Sequence, residues 1–145
     1  MATGHQEPVE GGCLCGAVRY RVFAPFKDVM HCHCTMCRTW GGGPLLSLRL
    51  AADAEIEGEE HVARYASSEW AERGFCRNCG THLFFFYRPK RSYSFTAGLF
   101  DGADGFAFVE EIFVDEKPAY YDFAGERDRL TRAEVIEKFS PGGTG

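Results

Sequence analysis

Seven cysteines in a 145-residue chain divide into a group of four and a group of three, and any fold for this chain has to bring each group together. Cys13-Leu14-Cys15 and Cys76-Arg77-Asn78-Cys79 make the four, and Cys32-His33-Cys34-Thr35-Met36-Cys37 makes the three. Zinc held by four thiolates is closed, whereas zinc held by three protein ligands keeps a position for water or a substrate sulfur. Four plus three therefore predicts one metal that holds the fold together and one that works.

The pairing follows from local geometry. If Gly12 to Tyr20 is a strand, residues two apart share a face, and Cys13 and Cys15 converge on one ion. A C-x-x-C followed by glycine reads as a metal knuckle whose turn aims both sulfurs inward, with Gly80 supplying an unusual backbone angle. In the third cluster C-x-C runs into C-x-x-C and shares Cys34, and no fourth cysteine remains, so the last ligand comes from elsewhere. Disulfides are disfavoured by the odd count, the tight spacing and the lack of an apolar export stretch in Met1 to Glu10. An iron–sulfur cluster could use four cysteines, but the two-plus-two layout is closer to a zinc ribbon. A redox dithiol at Cys76 and Cys79 would leave Cys13 and Cys15 unexplained.

With 45% hydrophobic and 14% aromatic residues the chain has ample core for one domain, expected over residues 5–140. Its formal net charge is −5 and it has no block of like charge, which excludes a basic groove and argues against nucleic acid as a partner. No apolar run approaches membrane-spanning length. A soluble protein with reduced thiols is expected in the cytoplasm.

The local pattern predicts a mainly β fold of small antiparallel sheets. Strand candidates are Ala17 to Phe23, Leu45 to Leu50, Ala63 to Tyr65, Leu83 to Tyr87, Ser92 to Ala97 and Ala107 to Val114. Turns are marked by Gly41-Gly42-Gly43-Pro44, Glu57-Gly58, Arg88-Pro89 and the run from Asp101 to Gly105. One short C-terminal helix is predicted, because Thr131-Arg132-Ala133-Glu134 is a capping-box pattern and Leu130, Val135, Ile136 and Phe139 form an apolar stripe. Ser140 to Gly145 reads as a frayed tail.

Three segments together carry a resemblance: Gly11-Gly12-Cys13-Leu14-Cys15-Gly16-Ala17-Val18, His31-Cys32-His33-Cys34-Thr35-Met36-Cys37-Arg38 and Phe75-Cys76-Arg77-Asn78-Cys79-Gly80-Thr81-His82-Leu83. In content and order they resemble the glutathione-dependent formaldehyde-activating enzyme family, also called the Gfa-like or centromere protein V domain. The resemblance implies a mostly β, Mss4-like fold with two zinc ions. It implies a structural zinc at Cys13, Cys15, Cys76 and Cys79 and a catalytic one at Cys32, Cys34 and Cys37. The activity it implies is addition of glutathione to formaldehyde, formally a carbon–sulfur lyase reaction run in reverse.

In that chemistry an open zinc site would take the glutathione sulfur as its fourth ligand and keep it deprotonated, and the thiolate would add to the aldehyde carbonyl. A proton must reach the developing alkoxide, which makes His31 and His33 general-acid candidates. On an alternating strand both point away from Cys32 and Cys34, which favours supporting or surface positions. Arg38 could grip a carboxylate and Trp40 could wall the pocket, so both are candidate substrate-binding residues; Trp40 could equally be core. Arg73, Arg77, Arg88, Lys90 and Arg91 could gather to receive an anionic peptide, or be solvated surface. His82 reads as a packing residue, His61 as part of a charged turn and His5 as part of a loose N-terminus. The Gly41 to Pro44 run could admit a ligand or be a mobile connector. Two classes of function remain: a zinc enzyme of thiol–aldehyde addition, and a non-catalytic zinc module that carries glutathione or binds a protein partner.

Overall fold

The computed structural model describes residues 8–23, 27–51, 53–102 and 105–139. His5, the segment 140–145 and residues 103 and 104 of the predicted turn lie outside the described residues. In chain order the elements are β1 (Val9–Gly12), β2 (Arg19–Val22), β3 (Asp28–Cys32), α1 (Thr35–Gly41), β4 (Leu46–Leu48), β5 (Ala54–Glu57), β6 (Val62–Ser68), β7 (Ala71–Cys76), β8 (His82–Tyr87), β9 (Ser92–Phe95), β10 (Ala107–Ile112), β11 (Asp128–Leu130) and α2 (Arg132–Phe139). The chain divides into two units, the first drawn from Met1–Asp28 and Ser47–Phe106 and the second from Val29–Leu46 and Ala107–Gly145.

The first unit contains a three-stranded sheet in the order β1-β2-β5 and a four-stranded sheet in the order β6-β7-β8-β9, with antiparallel neighbours throughout. Its core is aromatic. Tyr20 stacks on Phe95 at 4.5 Å and meets Phe100 edge-on at 5.5 Å, and Phe84 meets Phe95 edge-on at 5.9 Å. Val18, Val22 and Leu83 fill in around them, all but inaccessible. Fully burying each of these side chains contributes about 1.5–3 kcal/mol, and offset or edge-on ring pairs add about 0.5–1.5 kcal/mol. Gly74 of β7 makes the packing possible, because a Cβ there would lie 2.4 Å from the Phe84 ring.

The second unit contains β10 and β11 and nearly all of β3. β11 pairs parallel with β10, Glu110 to Asp128 through Ile112 to Leu130. The capping box forms as predicted. Thr131 N–H donates to Glu134 Oε1 at 2.8 Å, and Glu134 N–H donates to Thr131 Oγ1 at 3.3 Å. The stripe behind it is narrower than expected. Val135 is buried, whereas Ile136 is 55% exposed, because an eight-residue helix presents only about one side chain per turn to a single face.

The predicted strands appear, mostly shortened at their ends. One expectation fails: Gly12 to Tyr20 is not a strand. Residues 13–18 form the reversal between β1 and β2, closed by Gly16 N–H to Cys13 O at 3.1 Å with Gly16 at φ 82°. The sequence reading also missed β1, β3, β5, β7, β11 and α1. β5 (Ala-Glu-Ile-Glu) and β7 (Ala-Glu-Arg-Gly-Phe-Cys) carry charges and a glycine, residues depleted in strands, and are held by their neighbours.

Candidate metal centres

Cys13 and Cys15 are presented by the β1–β2 reversal, and Cys76 and Cys79 by the hairpin loop between β7 and β8. In that loop Gly80 sits at φ 80° and donates its N–H to Cys76 O at 2.7 Å, and Cys76 N–H donates to Thr81 O at 2.9 Å. The left-handed angle expected of Gly80 is thus what closes the knuckle. Leu14 N–H donates to Thr81 Oγ1 at 3.1 Å, tying the two loops together. The four sulfurs lie within 4.8 Å of one another, with Cys13 to Cys15 at 3.6 Å and Cys15 to Cys76 at 3.8 Å. A zinc–sulfur bond of about 2.3 Å implies a tetrahedral edge of about 3.8 Å, so the donor set fits zinc in kind and in spacing.

Backbone and hydroxyl donors favour thiolates at Cys13 and Cys79, whereas Cys15, despite the Ala17 N–H, is pushed up to about 11 by the Cys13 thiol, burial and the Cys79 and Cys76 thiols. Burial opposes ionisation of Cys13, yet the Val18 N–H, 3.3 Å from its sulfur, and the Cys15 and Cys76 thiols outweigh it and lower its pKa. Cys79 is brought down to about 5, chiefly by the Thr81 hydroxyl 3.1 Å away.

The three-cysteine set is local. Cys32 ends β3, Cys34 caps α1 with its sulfur accepting the Cys37 N–H at 3.3 Å, and Cys37 lies in the first helical turn. All three sulfurs lie within 4.8 Å of one another, and all three residues are half-buried. The crowding splits their acidity. Hydrogen bonds from the Cys32 and Cys37 thiols, aided by the backbone N–H groups of Cys37 and Met36, push Cys34 down. Cys32 is pushed up, first by its neighbours Cys34 and Cys37 and then by burial. Three sulfurs this close cannot all ionise without a cation, and a divalent ion suits them.

The Gly41 to Pro44 run ends α1. Gly42 adopts φ 81°, and the N–H groups of Gly42 and Gly43 both donate to Arg38 O, at 2.8 and 3.1 Å.

His31 and His33 alternate with the half-buried residues of β3, as the pleat predicts, but they are not on the surface: their exposures are 1% and 0%. Their rings meet edge-on at 4.3 Å. His33 Nε2 lies 2.8 Å from Glu111 Oε1, and its Nδ1 lies 2.7 Å from the Tyr121 hydroxyl. His31 Nε2 lies 3.2 Å from the same hydroxyl, and its Nδ1 sits 2.9 Å from Leu45 O and 3.2 Å from Leu45 N. Glu111 Oε2 accepts from Arg127 Nη1 at 2.5 Å and Arg129 Nε at 3.2 Å. Burial alone would raise the Glu111 pKa, but His33, Arg127 and Arg129 hold it below the usual carboxylate range. Glu110, next in β10, pairs with Lys138 of α2 at 3.2 Å. The start of α1 is tied down as well, Thr35 N–H donating to Glu116 Oε1 at 3.2 Å while Glu116 holds Arg132 at 2.8 Å.

Among the other expected residues, Arg38 and Trp40 are half-buried on α1, and the Arg38 guanidinium is close enough to lower the Tyr121 pKa against the larger effect of burial. Arg73 is buried with its guanidinium 5.3 Å from the Phe85 ring, Arg77 donates to Val62 O at 3.2 Å, and Arg88 pairs with Glu72 at 3.0 Å. These three are engaged within their own unit. Lys90 and Arg91 lie exposed at the turn after β8. His61 stays in its charged turn, 3.6 Å from Glu60, and His82 is half-buried, with burial lowering its pKa. Neither His61 nor His82 joins a cysteine cluster.

Sequence reasoning missed Glu111, Tyr121, Arg127 and Arg129. Two adjacent glutamates inside an otherwise apolar strand were a usable signal, since strand neighbours face opposite ways and one of the two must then point inward.

No helix among the described residues is long and apolar enough to cross a membrane. In sequence, the chain is 37% identical over 129 residues to an uncharacterized lyase of Schizosaccharomyces pombe, an alignment covering 88% of this chain and 94% of that protein. In structure, it resembles a crystal structure of a Rhodobacter sphaeroides protein with a TM-score of 0.55 at 27% identity, over 66% of this chain and 91% of the other. The family model for the glutathione-dependent formaldehyde-activating enzyme matches residues 8–116, a span that contains all seven cysteines. The chain belongs to the glutathione-dependent formaldehyde-activating enzyme family.

Proposed function

We propose that this protein is a zinc-dependent carbon–sulfur lyase-type enzyme that adds glutathione to an aldehyde such as formaldehyde. In this reading Cys32, Cys34 and Cys37 hold the working zinc, Cys13, Cys15, Cys76 and Cys79 hold a structural one, and residues 5–140 form a single Gfa-like domain. The observation that carries it is the convergence of three sulfurs, and three only, at the β3–α1 junction. Zinc in such a set has an open position at which a thiol loses its proton near neutral pH.

The chain's own residues do the rest. The β3 end and the α1 cap hold the three sulfurs in one short stretch, so the geometry is set before substrate arrives. Arg38 offers a guanidinium for a substrate carboxylate, and half-buried Trp40 offers an apolar wall. His31 and His33 are the candidates to supply the proton that the alkoxide needs. Seven reduced thiols suit a reducing compartment, which supports a cytoplasmic location.

Titrating glutathione into cobalt-substituted protein tests the reading, because a new sulfur ligand alters the cobalt spectrum. Turnover is then compared with the spontaneous addition of glutathione to formaldehyde. A spectral change with acceleration supports the enzyme, a change without acceleration supports a glutathione carrier, and no change at millimolar thiol contradicts thiol activation.

A further inference from the structure

His33 is flanked on both sides by cysteines of the three-sulfur set, and everything around it is fixed. Its backbone N–H donates to Ile112 O at 2.9 Å, and its ring is fully buried between the Glu111 carboxylate and the Tyr121 hydroxyl. Glu111 is anchored in turn by Arg127 and Arg129, and the Arg127 guanidinium lies 4.0 Å from the Phe108 ring centroid.

Every ring nitrogen of the two histidines has a polar atom within hydrogen-bond distance. An ionised carboxylate only accepts, so His33 Nε2–H donates to Glu111 Oε1. His33 Nδ1 faces the Tyr121 hydroxyl at 2.7 Å. The same hydroxyl lies 3.2 Å from His31 Nε2, and His31 Nδ1 lies 2.9 Å from Leu45 O and 3.2 Å from Leu45 N. Every member has a partner, which is the condition under which a buried polar chain rigidifies its surroundings.

We propose that Glu111 and Tyr121 are positioning residues: acting through His33, they hold the turn that carries Cys32, Cys34 and Cys37 and set its affinity for metal. The proposal rests on the reading that those three sulfurs take a metal. Shape alone would not require polar atoms here, since apolar residues of equal size fill a core without the cost of burying them. Removing the hydroxyl leaves His33 Nδ1 without its partner and the ring anchored by Glu111 alone, which loosens the cysteines on either side.

Cobalt titration in competition with a chelator, on the full chain, tests this. Tyr121→Phe and Glu111→Gln each weaken cobalt at the three-cysteine set by about tenfold or more. They also shift its thiolate-to-cobalt bands, while affinity at the four-cysteine set stays within about twofold. A variant that melts earlier but keeps both the affinity and the bands of the three-cysteine set overturns the proposal, because its role is then packing alone. The unmutated protein gives an independent check should a variant fail to fold. Nitrogen-15 spectra of its histidines show the His33 ring responding when zinc enters the three-cysteine set, and a His33 ring indifferent to that zinc overturns the inference. Absence of cobalt from the three-cysteine set in the unmutated protein defeats the metal reading itself; failure confined to the variants defeats only the positioning role.

Discussion

The sulfurs of Cys15 and Cys76 stand 3.8 Å apart although 61 residues separate them in sequence. That separation makes the four-cysteine set a long-range tie between two β-hairpin loops, whereas the three-cysteine set is contained in six consecutive residues.

The two sets should therefore fail differently. Zinc in structural sites contributes an apparent 10–16 kcal/mol, comparable to or larger than the whole stability of an ordinary domain. Cys76→Ser is expected to abolish cooperative unfolding. Cys32→Ser should lose one metal per chain and keep the fold. Metal analysis and circular dichroism on the two variants decide it, and equal damage from both would sink the division of labour.

Gly74→Ala should destabilise the first unit by about 1–3 kcal/mol, as overpacking does, because the new methyl meets the ring of fully buried Phe84. Gly98→Ala is the control: its Cβ meets nothing within 4 Å, and its φ is not positive. It should fall within about 0.5 kcal/mol of wild type by urea denaturation.

Acid should weaken the fold in two stages. Burial lowers the His31 pKa from its ordinary 6.5, so the unfolded chain binds that proton first and stability declines as pH falls below about 6.5. Glu111 is depressed from 4.5 by His33, Arg127 and Arg129 against the opposing effect of burial. Its contribution is complete above about 4.5 and is lost as pH falls through its lower folded value. Urea midpoints at fixed zinc load should show both limbs. In Glu111→Gln the lower limb should flatten, and an unchanged lower limb would contradict the assignment.

Thr131→Ala removes the side chain that accepts the Glu134 N–H, and it should cost about 1 kcal/mol. Because α2 pairs Lys138 with buried Glu110, the loss should register as a lower melting temperature rather than as local fraying alone. Hydrogen exchange at Val135, whose N–H donates to Thr131 O at 2.9 Å, separates the two.

What could be read from the chain was whatever is set by residues close in sequence. The Thr131–Glu134 box, the Gly80 angle and the three-cysteine turn depend on spacings of two or three residues, the joining of Cys13 and Cys15 to Cys76 and Cys79 was read from the ligand count, and all are found in the structure. The convergence of Cys13 and Cys15 was expected for the wrong reason. A turn closed by Gly16 brings them together, not a pleat, and both place side chains two apart on one side. The network behind the three-cysteine turn was not legible, because it joins His33 to Glu111 and Tyr121, 78 and 88 residues away. β11 escaped for a related cause: Asp-Arg-Leu has little strand propensity of its own, and its pairing with β10 supplies the backbone partners.

The wide span of the four-cysteine set also orders events on the ribosome. At about 5–20 residues per second, Cys76 is made roughly 3–12 s after Cys15, while Cys37 follows Cys32 within about a second. The nascent chain therefore completes its three-sulfur cluster while Cys13 and Cys15 still lack half their ligands. During that interval two thiols are open to oxidation or to capture by a competing metal, so yield in the cell should depend on zinc supply during translation more steeply than the stability of the finished protein does.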